Sequence, residues 1–341
     1  MNSVYKSDPA RDRPNAIGFG YILIVCVLLL SSQSGCQLFD RFRFQPEQNS
    51  PIVFSEVPSK DQLILHLKQQ SERIHQLQSE IKLSVAGMPS LRGTLAVESP
   101  NRLRLTAGLL GVSDLGIDVG SNEEVFWFWT KVAKPGEEPG IYFANHEQYR
   151  NSPLQRQIPI EPGWIIDSLG LLRIESNDRI EGPYQRPDGR VEIHTYRNVG
   201  TQPTVRKTVI DPKYGWVMQQ SVYDANGRLI AYSDSIKHRH YPEEDVTLPS
   251  QIKITAYEPN GNSLEMTVDA TRFKLNSIYG DPEKLWSMPR PSDVPVVDLV
   301  NGPLNPNVNA GNSNRVSGRV DDHRTSSSQN EFTQSVFRNL R

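Results

Sequence analysis

Runs of alternating apolar and polar residues fill the middle of the chain and predict β-strands. In 91–97 the apolar side chains fall mostly on every second residue, and Leu103 and Leu105 alternate with Arg102 and Arg104. Because the side chains of a strand point alternately to its two sides, this pattern gives a sheet with one dry and one wet face. About a dozen such runs are predicted: 81–86, 91–97, 103–106, 115–119, 125–130, 141–144, 191–196, 205–210, 216–223, 229–236, 252–257 and 264–273.

Tight-turn dipeptides separate several runs in the second half of the chain. They are Asp188-Gly189, Asn226-Gly227 and Asn260-Gly261. Such pairs favour the turns of two-residue hairpins, so consecutive strands are predicted to be antiparallel neighbours. A meander of this length curls into a barrel or half-barrel. Residues 286–295 are predicted to form a closing extended segment.

Two stretches change to helical spacing. From Asp61 the apolar residues recur three, four and seven positions apart, which predicts an amphipathic helix capped by Ser59 or Asp61. A second helix is predicted from Pro162 to Leu172, because proline suits a first helical turn and four apolar side chains can share one face. The first stripe consists of Leu63, Leu67, Ile74, Leu77 and Ile81, and the second of Trp164, Ile165, Leu169 and Leu172.

The first 35 residues follow the pattern of an export signal. Basic residues precede an uncharged apolar run, 16–30, and small polar residues follow it. This run is shorter than the roughly 20 residues that a membrane-spanning helix needs, which favours a removed signal over a permanent anchor. The domain boundaries predicted are a signal at 1–35, a polar, proline-interrupted tether at 36–60, one domain at 61–299 and a disordered tail at 300–341.

The junction Gln33-Ser34-Gly35-Cys36 resembles the lipobox of bacterial lipoproteins, whose cysteine is acylated and becomes the mature N-terminus. Ser34 and Gly35 fit, whereas Gln33 stands where leucine is preferred. Cys26 would leave with the signal, so Cys36 would remain as a single cysteine that cannot form an internal disulfide. We predict that acylated Cys36 anchors the protein in membrane lipid. The alternative is an ordinary thiol behind a general signal.

Composition and motifs argue against several function classes. A net charge of −2 over 341 residues, with 22% charged and 37% hydrophobic residues, is typical of a soluble globular body and does not favour a nucleic-acid partner. The chain has no Gly-x-Ser-x-Gly elbow, no His-Glu-x-x-His and no phosphate-binding glycine loop. We therefore expect neither enzymatic activity nor a cofactor.

One cluster has side chains suited to metal ligation. His238 and His240 are two residues apart and would share one face of a strand, close to three carboxylates. They also lie beside Lys237 and Arg239, where a solvated strand edge is the ordinary outcome. No metal site is predicted. The carboxylates are Glu243, Glu244 and Asp245.

Two segments carry a resemblance to a known family. Residues 102–111, Arg-Leu-Arg-Leu-Thr-Ala-Gly-Leu-Leu-Gly, and the helix introduced by Pro-Ile-Glu-Pro at 159–162 resemble the LolB branch of the LolA/LolB-like lipoprotein carriers. The resemblance covers about 61–273. It implies an α+β, β-rich fold, in which an antiparallel meander forms an unclosed half β-barrel with helices on its concave, lipid-binding face.

The sequence also predicts two candidate sites, the first from the resemblance and the second from the aromatic residues on both faces of 125–129 and the helix after Pro162. In the family, an exposed leucine followed by glycine passes lipoproteins into the membrane, and Leu110 and Gly111, after Leu109, match that loop. The alternative is that both leucines fold back onto the sheet. An acyl-chain cavity is the second site, although core packing would need the same side chains. Its candidates are Trp127, Trp129, Trp164, Ile165, Leu169 and Leu172.

The function implied is that of a lipid-anchored outer-membrane lipoprotein facing the periplasm. It would receive lipids or lipoproteins, with a periplasmic carrier protein as a candidate partner, and insert them into the membrane. Gln37 stands where an aspartate would favour inner-membrane retention. The chain is longer than the family's usual receptor and its loop lacks the common proline, so the fold carries over better than the activity. The alternative is a non-enzymatic structural or protein-interaction lipoprotein of the envelope on the same scaffold.

Overall fold

The fold is taken from a computed structural model of the chain. The structure describes residues 50–109, 112–130, 140–157, 163–199, 202–257, 261 and 263–303. Cys36, the predicted signal, most of the predicted tether and most of the predicted tail lie outside the described residues. Within the described part, no helix combines the length and apolar character needed to cross a bilayer.

Strands make up most of the described chain, and the helices are few. The helices are α1 (Lys60–Glu72), α2 (His146–Asn151), α3 (Leu154–Gln157), α4 (Gly163–Ser168) and α5 (Pro282–Leu285). The first strands are β1 (Gln76–Val85), β2 (Leu91–Glu98), β3 (Arg102–Leu109), β4 (Val112–Ser121), β5 (Val125–Thr130), β6 (Ile141–Asn145), β7 (Arg179–Gln185) and β8 (Val191–Val199). The others are β9 (Gln202–Ile210), β10 (Val217–Tyr223), β11 (Leu229–Tyr241), β12 (Val246–Tyr257), β13 (Ser263–Ala270), β14 (Lys274–Leu275), β15 (Val296–Asp298) and β16 (Gly302–Pro303).

The strands form one sheet whose two ends do not meet within the described residues. Its order is β16-β15-β6-β5-β4-β3-β2-β1-β13-β12-β11-β10-β9-β8-β7, with β14 also paired to β1. The pairings described are antiparallel except that of β15 with β6. The first strand, β1, lies in the middle, between β2 and β13. This confirms the predicted β-rich fold built on an unclosed antiparallel sheet.

The hairpin turns occur where the glycine pairs predicted them. Gly189 lies between β7 and β8, and Gly227 between β10 and β11. Both have φ near +80°, at 80° and 76°. This left-handed region is open to glycine at little cost, which explains its place in these turns. The sequence did not predict β7 itself, because Gly182 and Pro183 interrupt a short run of charged residues.

Helix α1 begins as predicted but ends earlier. The Ser59 side chain accepts a hydrogen bond from the Gln62 amide, and the Gln62 side chain accepts one from the Ser59 amide. The prediction that Leu77 and Ile81 continue the helical stripe was wrong. Both side chains also fit the two-residue alternation of β1, and pairing with β2 and β13 stabilises that strand.

Two apolar clusters form the core. The larger, which we call the main cluster, includes the inner side chains of β1–β4 and β11–β13 together with α4 and the residues after it. Since strands from both halves of the sheet meet in this cluster, the sheet curls around it. The second cluster lies between α1 and β8–β10 and contains Leu63, Leu67, Leu172, Val191, Ile193, Ile210 and Val217.

Residues 274–303 run across strands β1–β6 on the face opposite the main cluster, and we call these residues the C-terminal strap. The strap pairs with β1 through β14 and with β6 through β15. Between these points, Arg104 donates a hydrogen bond of 2.6 Å to the Ser287 carbonyl, and Asn122 donates one of 3.1 Å to the Trp286 carbonyl. Arg104 alternates with core residues Leu103 and Leu105, so the strap covers the face opposite the main cluster.

Candidate functional site

The concave face of the sheet is covered by α4 and the residues after it. Trp164, Ile166 and Leu169 are buried in the main cluster, and Ile165 packs against it half-buried. The helix has six residues and ends at Ser168, short of the predicted Leu172. Because the inner side chains of both sheet halves contact this segment, α4 lies on the concave face of the sheet.

Trp164 has a polar atom that the fold leaves without a partner. Its side chain is 6% exposed, and within the described part of the chain its indole Nε1–H makes no hydrogen bond. A buried donor without an acceptor costs about 1–3 kcal/mol. The main cluster therefore includes one hydrogen-bond donor that could bind a carbonyl oxygen.

The polar end of α4 is fixed to the second half of the sheet through Asp167. Its carboxylate lies 2.6 Å from Nη1 of Arg206 on β9 and accepts a 3.3 Å hydrogen bond from the Arg173 amide. The Gln220 side chain donates a 2.7 Å hydrogen bond to the Asp167 carbonyl. The carboxylate is 2% exposed, so this ion pair is largely removed from water.

The six predicted cavity residues do not lie together. Trp164, Ile165 and Leu169 share the main cluster, and Leu172 belongs to the second cluster. Trp127 and Trp129 follow the alternate positions of β5, on the strap side of the sheet. Phe128 packs against the main cluster instead. The sequence could not decide between the two faces, because aromatic side chains occupy both.

Trp127 is a fully buried part of the strap side. Its indole N–H donates a 3.1 Å hydrogen bond to Asp118, and the Arg104 guanidinium lies 5.0 Å from the ring centroid. The ring rests on Gly120, where a Cβ atom would come within 2.0 Å of it. This geometry requires glycine at residue 120 and matches the core-packing alternative for Trp127.

The predicted insertion loop is described only at its first residue. Leu109 ends β3, is half-buried and packs against the main cluster. Leu110 and Gly111 lie outside the described residues. Membrane insertion by this loop therefore stays a prediction.

A polar cleft of about 200 Å³ lies between α1, the loop before β10, and β11–β12. Arg73 and Asp245 form an ion pair of 2.8 Å across it. Trp216 is stacked between Tyr214 and His238, with centroid distances of 4.5 Å and 4.7 Å. Sequence reasoning missed this cleft, since its walls come from segments far apart in the chain. The lining also includes Pro51, Val53, His66, Gln69, Gln70, His240 and Thr247.

The sequence placed His238 at a solvated strand edge, and this prediction was wrong. His238 is 1% exposed, and its Nε2–H donates a 3.2 Å hydrogen bond to the Val217 carbonyl. Irregularities in the β11–β12 pairing at residues 235–238 place its ring against Trp216. Among the described residues, no three His, Cys, Asp or Glu side chains are arranged to bind a metal ion.

Burial lowers the pKa of His238 from its ordinary 6.5 to about 4. Burial also lowers the pKa of His66, which lies on the same cleft. The unfolded chain takes up a proton at His238 near pH 6.5, whereas the folded protein does so only near pH 4. Between these values the unfolded state binds more protons, so protein stability falls as the pH falls.

We expect the free energy of unfolding to decrease by about 3 kcal/mol more in the parent protein than in a His238→Phe variant between pH 7 and pH 4. Phenylalanine keeps a ring against Trp216 but cannot be protonated. Denaturant titrations at both pH values would measure the difference. Equal losses in the two proteins would contradict a buried, neutral His238.

Comparisons with known proteins give a weak likeness. No family model and no curated protein matches the chain. Similar solved structures include a DUF1329 family protein from Desulfovibrio piger, with 11% identity over 64% of this chain and 92% of that chain, and a TM-score of 0.41. A putative outer membrane lipoprotein-sorting protein domain from Vibrio parahaemolyticus has 10% identity over 64% of this chain and 94% of that chain, with a TM-score of 0.40. A LolA superfamily protein from Nitrosomonas europaea has 12% identity over 66% of this chain and 97% of that chain, with a TM-score of 0.38.

At these identities and TM-scores, nothing about the function of this chain follows from the likeness. Membership of the LolB branch stays a prediction.

Proposed function

We propose that the protein is an envelope lipoprotein that binds acyl chains of lipids or lipoproteins on the concave face of its half-barrel. One observation supports this best. The main cluster is lined by both halves of the sheet, and the short helix α4 that covers it places an unpaired indole N–H among apolar side chains. An acyl group has the complementary chemistry, a long apolar chain with one carbonyl oxygen.

Binding requires the acyl chain to enter between α4 and the sheet, so that Trp164 of α4 still faces it. Each buried methylene contributes about 0.8 kcal/mol, so a long chain can offset the contacts that α4 gives up. The helix is six residues long, and short isolated helices are not stable by themselves. An outward shift of α4 leaves the strand pairing of the sheet intact, with the Asp167–Arg206 ion pair as the contact that limits the shift.

Uptake of a fluorescent fatty acid by the purified mature protein tests this function. Saturable binding with a rise in fluorescence, reversed by a diacylated lipopeptide, is the expected result. Lipid that co-purifies with the protein and leaves when the probe enters would agree with it. A protein that neither binds the probe nor carries lipid would favour the alternative, a structural or protein-interaction lipoprotein.

A Trp164→Phe variant should bind the acyl probe about fivefold more weakly, since one neutral hydrogen bond contributes about 1 kcal/mol. Its free energy of unfolding should stay the same or rise slightly, because an unpaired buried donor is removed while an aromatic ring remains. Fluorescence titration and denaturant unfolding measure the two quantities.

Trp127→Phe is the matched control. It removes an indole N–H that is already bonded to Asp118, on the opposite face of the sheet. We expect this variant to lose stability and to keep its affinity for the probe. Equal weakening of probe binding by both substitutions would show that the Trp164 indole has no specific part in the site.

The remaining parts of the proposal concern location and transfer. Acylated Cys36 would anchor the protein in the outer membrane, facing the periplasm. A periplasmic carrier would deliver the lipid or lipoprotein, and the loop at Leu109, Leu110 and Gly111 would pass it into the bilayer. A Leu110→Glu variant that stays folded but no longer transfers a lipoprotein to liposomes would support this last step.

A further inference from the structure

Exposed apolar side chains are concentrated at the start of the described chain. Seven large hydrophobic residues are exposed in the part that the structure describes, and four of them lie within residues 52–65. Their exposed fractions run from 40% to 60%. Such a grouping commonly marks a surface that contacts a partner or a membrane. We call these four residues the apolar rim: Ile52, Val53, Val57 and Leu65.

Segment 50–54 is fixed in place, so the exposure of its apolar side chains is not that of a loose end. The amides of Val53 and Phe54 both donate to the Lys213 carbonyl, at 3.0 Å and 3.1 Å. The Phe54 ring packs edge-on against His66 of α1, with centroids 5.4 Å apart, and also contacts the second cluster. Phe54 therefore faces inward while its neighbours Ile52 and Val53 remain exposed.

Helix α1 places Leu65 on the same side as the N-terminal segment. Leu63 and Leu67 are buried in the second cluster, and Leu65, two residues from each, points away from it. Gln69 is one helical turn beyond Leu65 on the same face. Gln69 lines the polar cleft together with Pro51 and Val53. The cleft edge thus connects Leu65 to the N-terminal segment.

The chain leads from this surface to the predicted membrane anchor. Fourteen residues, 37–50, separate Cys36 from Pro51. Fully extended, they span at most about 50 Å. If Cys36 is acylated, the apolar rim is the part of the domain nearest to the anchor along the chain. Residues 50–73 contain three basic and three acidic side chains, so lipid contact there would be apolar rather than electrostatic.

We propose that the apolar rim lies on the surface of the bilayer in which Cys36 is anchored. This inference rests on the anchoring included in the proposed function. It orients the domain, because the polar cleft then opens at the lipid headgroups and α1 lies along the membrane. Burial of four apolar side chains adds contacts to those of the acyl chains.

The test uses the full chain, processed in cells, purified from membranes and reconstituted into phosphatidylcholine vesicles that contain brominated lipid. An environment-sensitive fluorophore is attached through Ile52→Cys or Leu65→Cys. Ile236→Cys and Tyr279→Cys are matched controls, since both residues are exposed and apolar but lie outside the rim. The parent chain, whose cysteines are Cys26 and Cys36, gives the labelling background.

Quenching by brominated lipid should be several-fold stronger at residues 52 and 65 than at 236 and 279, and should persist at high salt. Equal quenching at all four positions overturns the proposal. So does a fluorophore at 52 or 65 that is already shielded in the Cys36→Ala chain without detergent, because another part of the chain then covers the rim. Flotation of the vesicles distinguishes a missing lipid anchor from a missing rim contact. Protein that does not float lacks the anchor, whereas protein that floats without selective quenching lacks the rim contact.

Discussion

Replacing Cys36 with alanine is expected to release the protein from the membrane fraction and to abolish its labelling by a fatty-acid analogue. Each buried methylene contributes about 0.8 kcal/mol, so several acyl chains dominate membrane attachment, and the apolar rim alone cannot replace them. Fractionation of cells that express the variant, with metabolic labelling in parallel, measures both effects. The soluble fraction should contain nearly all of the variant that is processed.

Cys26→Ala provides the matched control, because Cys26 lies in the apolar part of the predicted signal and would be absent from the mature chain. That variant should remain membrane-bound and labelled. A Cys36→Ala protein that is still labelled and still in the membrane would contradict acylation at this residue. A protein that is unlabelled but membrane-bound would indicate an uncleaved signal as the anchor.

An Asp167→Ala variant should lose about 3–5 kcal/mol of stability. The substitution leaves the Arg206 guanidinium, whose side chain is 16% exposed, without the carboxylate that now lies 2.6 Å away. It also removes the acceptor of the Arg173 amide. Burying an uncompensated charge is more costly than losing the attraction itself. Chemical denaturation of parent and variant at pH 7 measures the loss.

The double variant Asp167→Leu with Arg206→Met separates this cause from simple disruption of α4. Both charges of the pair are then absent, and apolar side chains of similar length fill the space, whereas Arg173, whose Nε lies 3.8 Å from the same carboxylate, keeps its charge. We expect the double variant to recover most of the lost stability. If it is as unstable as Asp167→Ala, the ion pair with Arg206 is not the source of the effect, and the contacts of Arg173 with Asp167 or the packing around α4 are.

Local rules were sufficient to predict most of the sheet. The alternation around Leu103 and Leu105 identified β3, and the glycines at 189 and 227 identified two hairpins. These signals depend on neighbouring residues alone, because strand direction and turn geometry are set within a few positions. The capping of α1 by Ser59 is local in the same sense. Sequence and structure agree at each of these places.

The candidate site depended on choices that no local pattern makes. Trp127 and Phe128 are both large and aromatic, and only the course of the C-terminal strap decides which of them faces the strap and which faces the main cluster. Leu77 fits a helical stripe and a strand equally well, until β2 and β13 supply its partners. The cleft joins His66, Trp216 and His238, which are brought together only by tertiary packing. These features arise from contacts between distant segments.

The central position of β1 has a consequence for when the domain can form. Ile81 pairs with Ala270, so the sheet cannot join its halves until nearly the whole domain is present. Contacts between residues so distant in sequence raise the contact order and slow folding, because a long loop must close before they form. If the predicted signal directs export of the unfolded chain, this delay favours it. Its first half can emerge completely before the strand that completes the core follows.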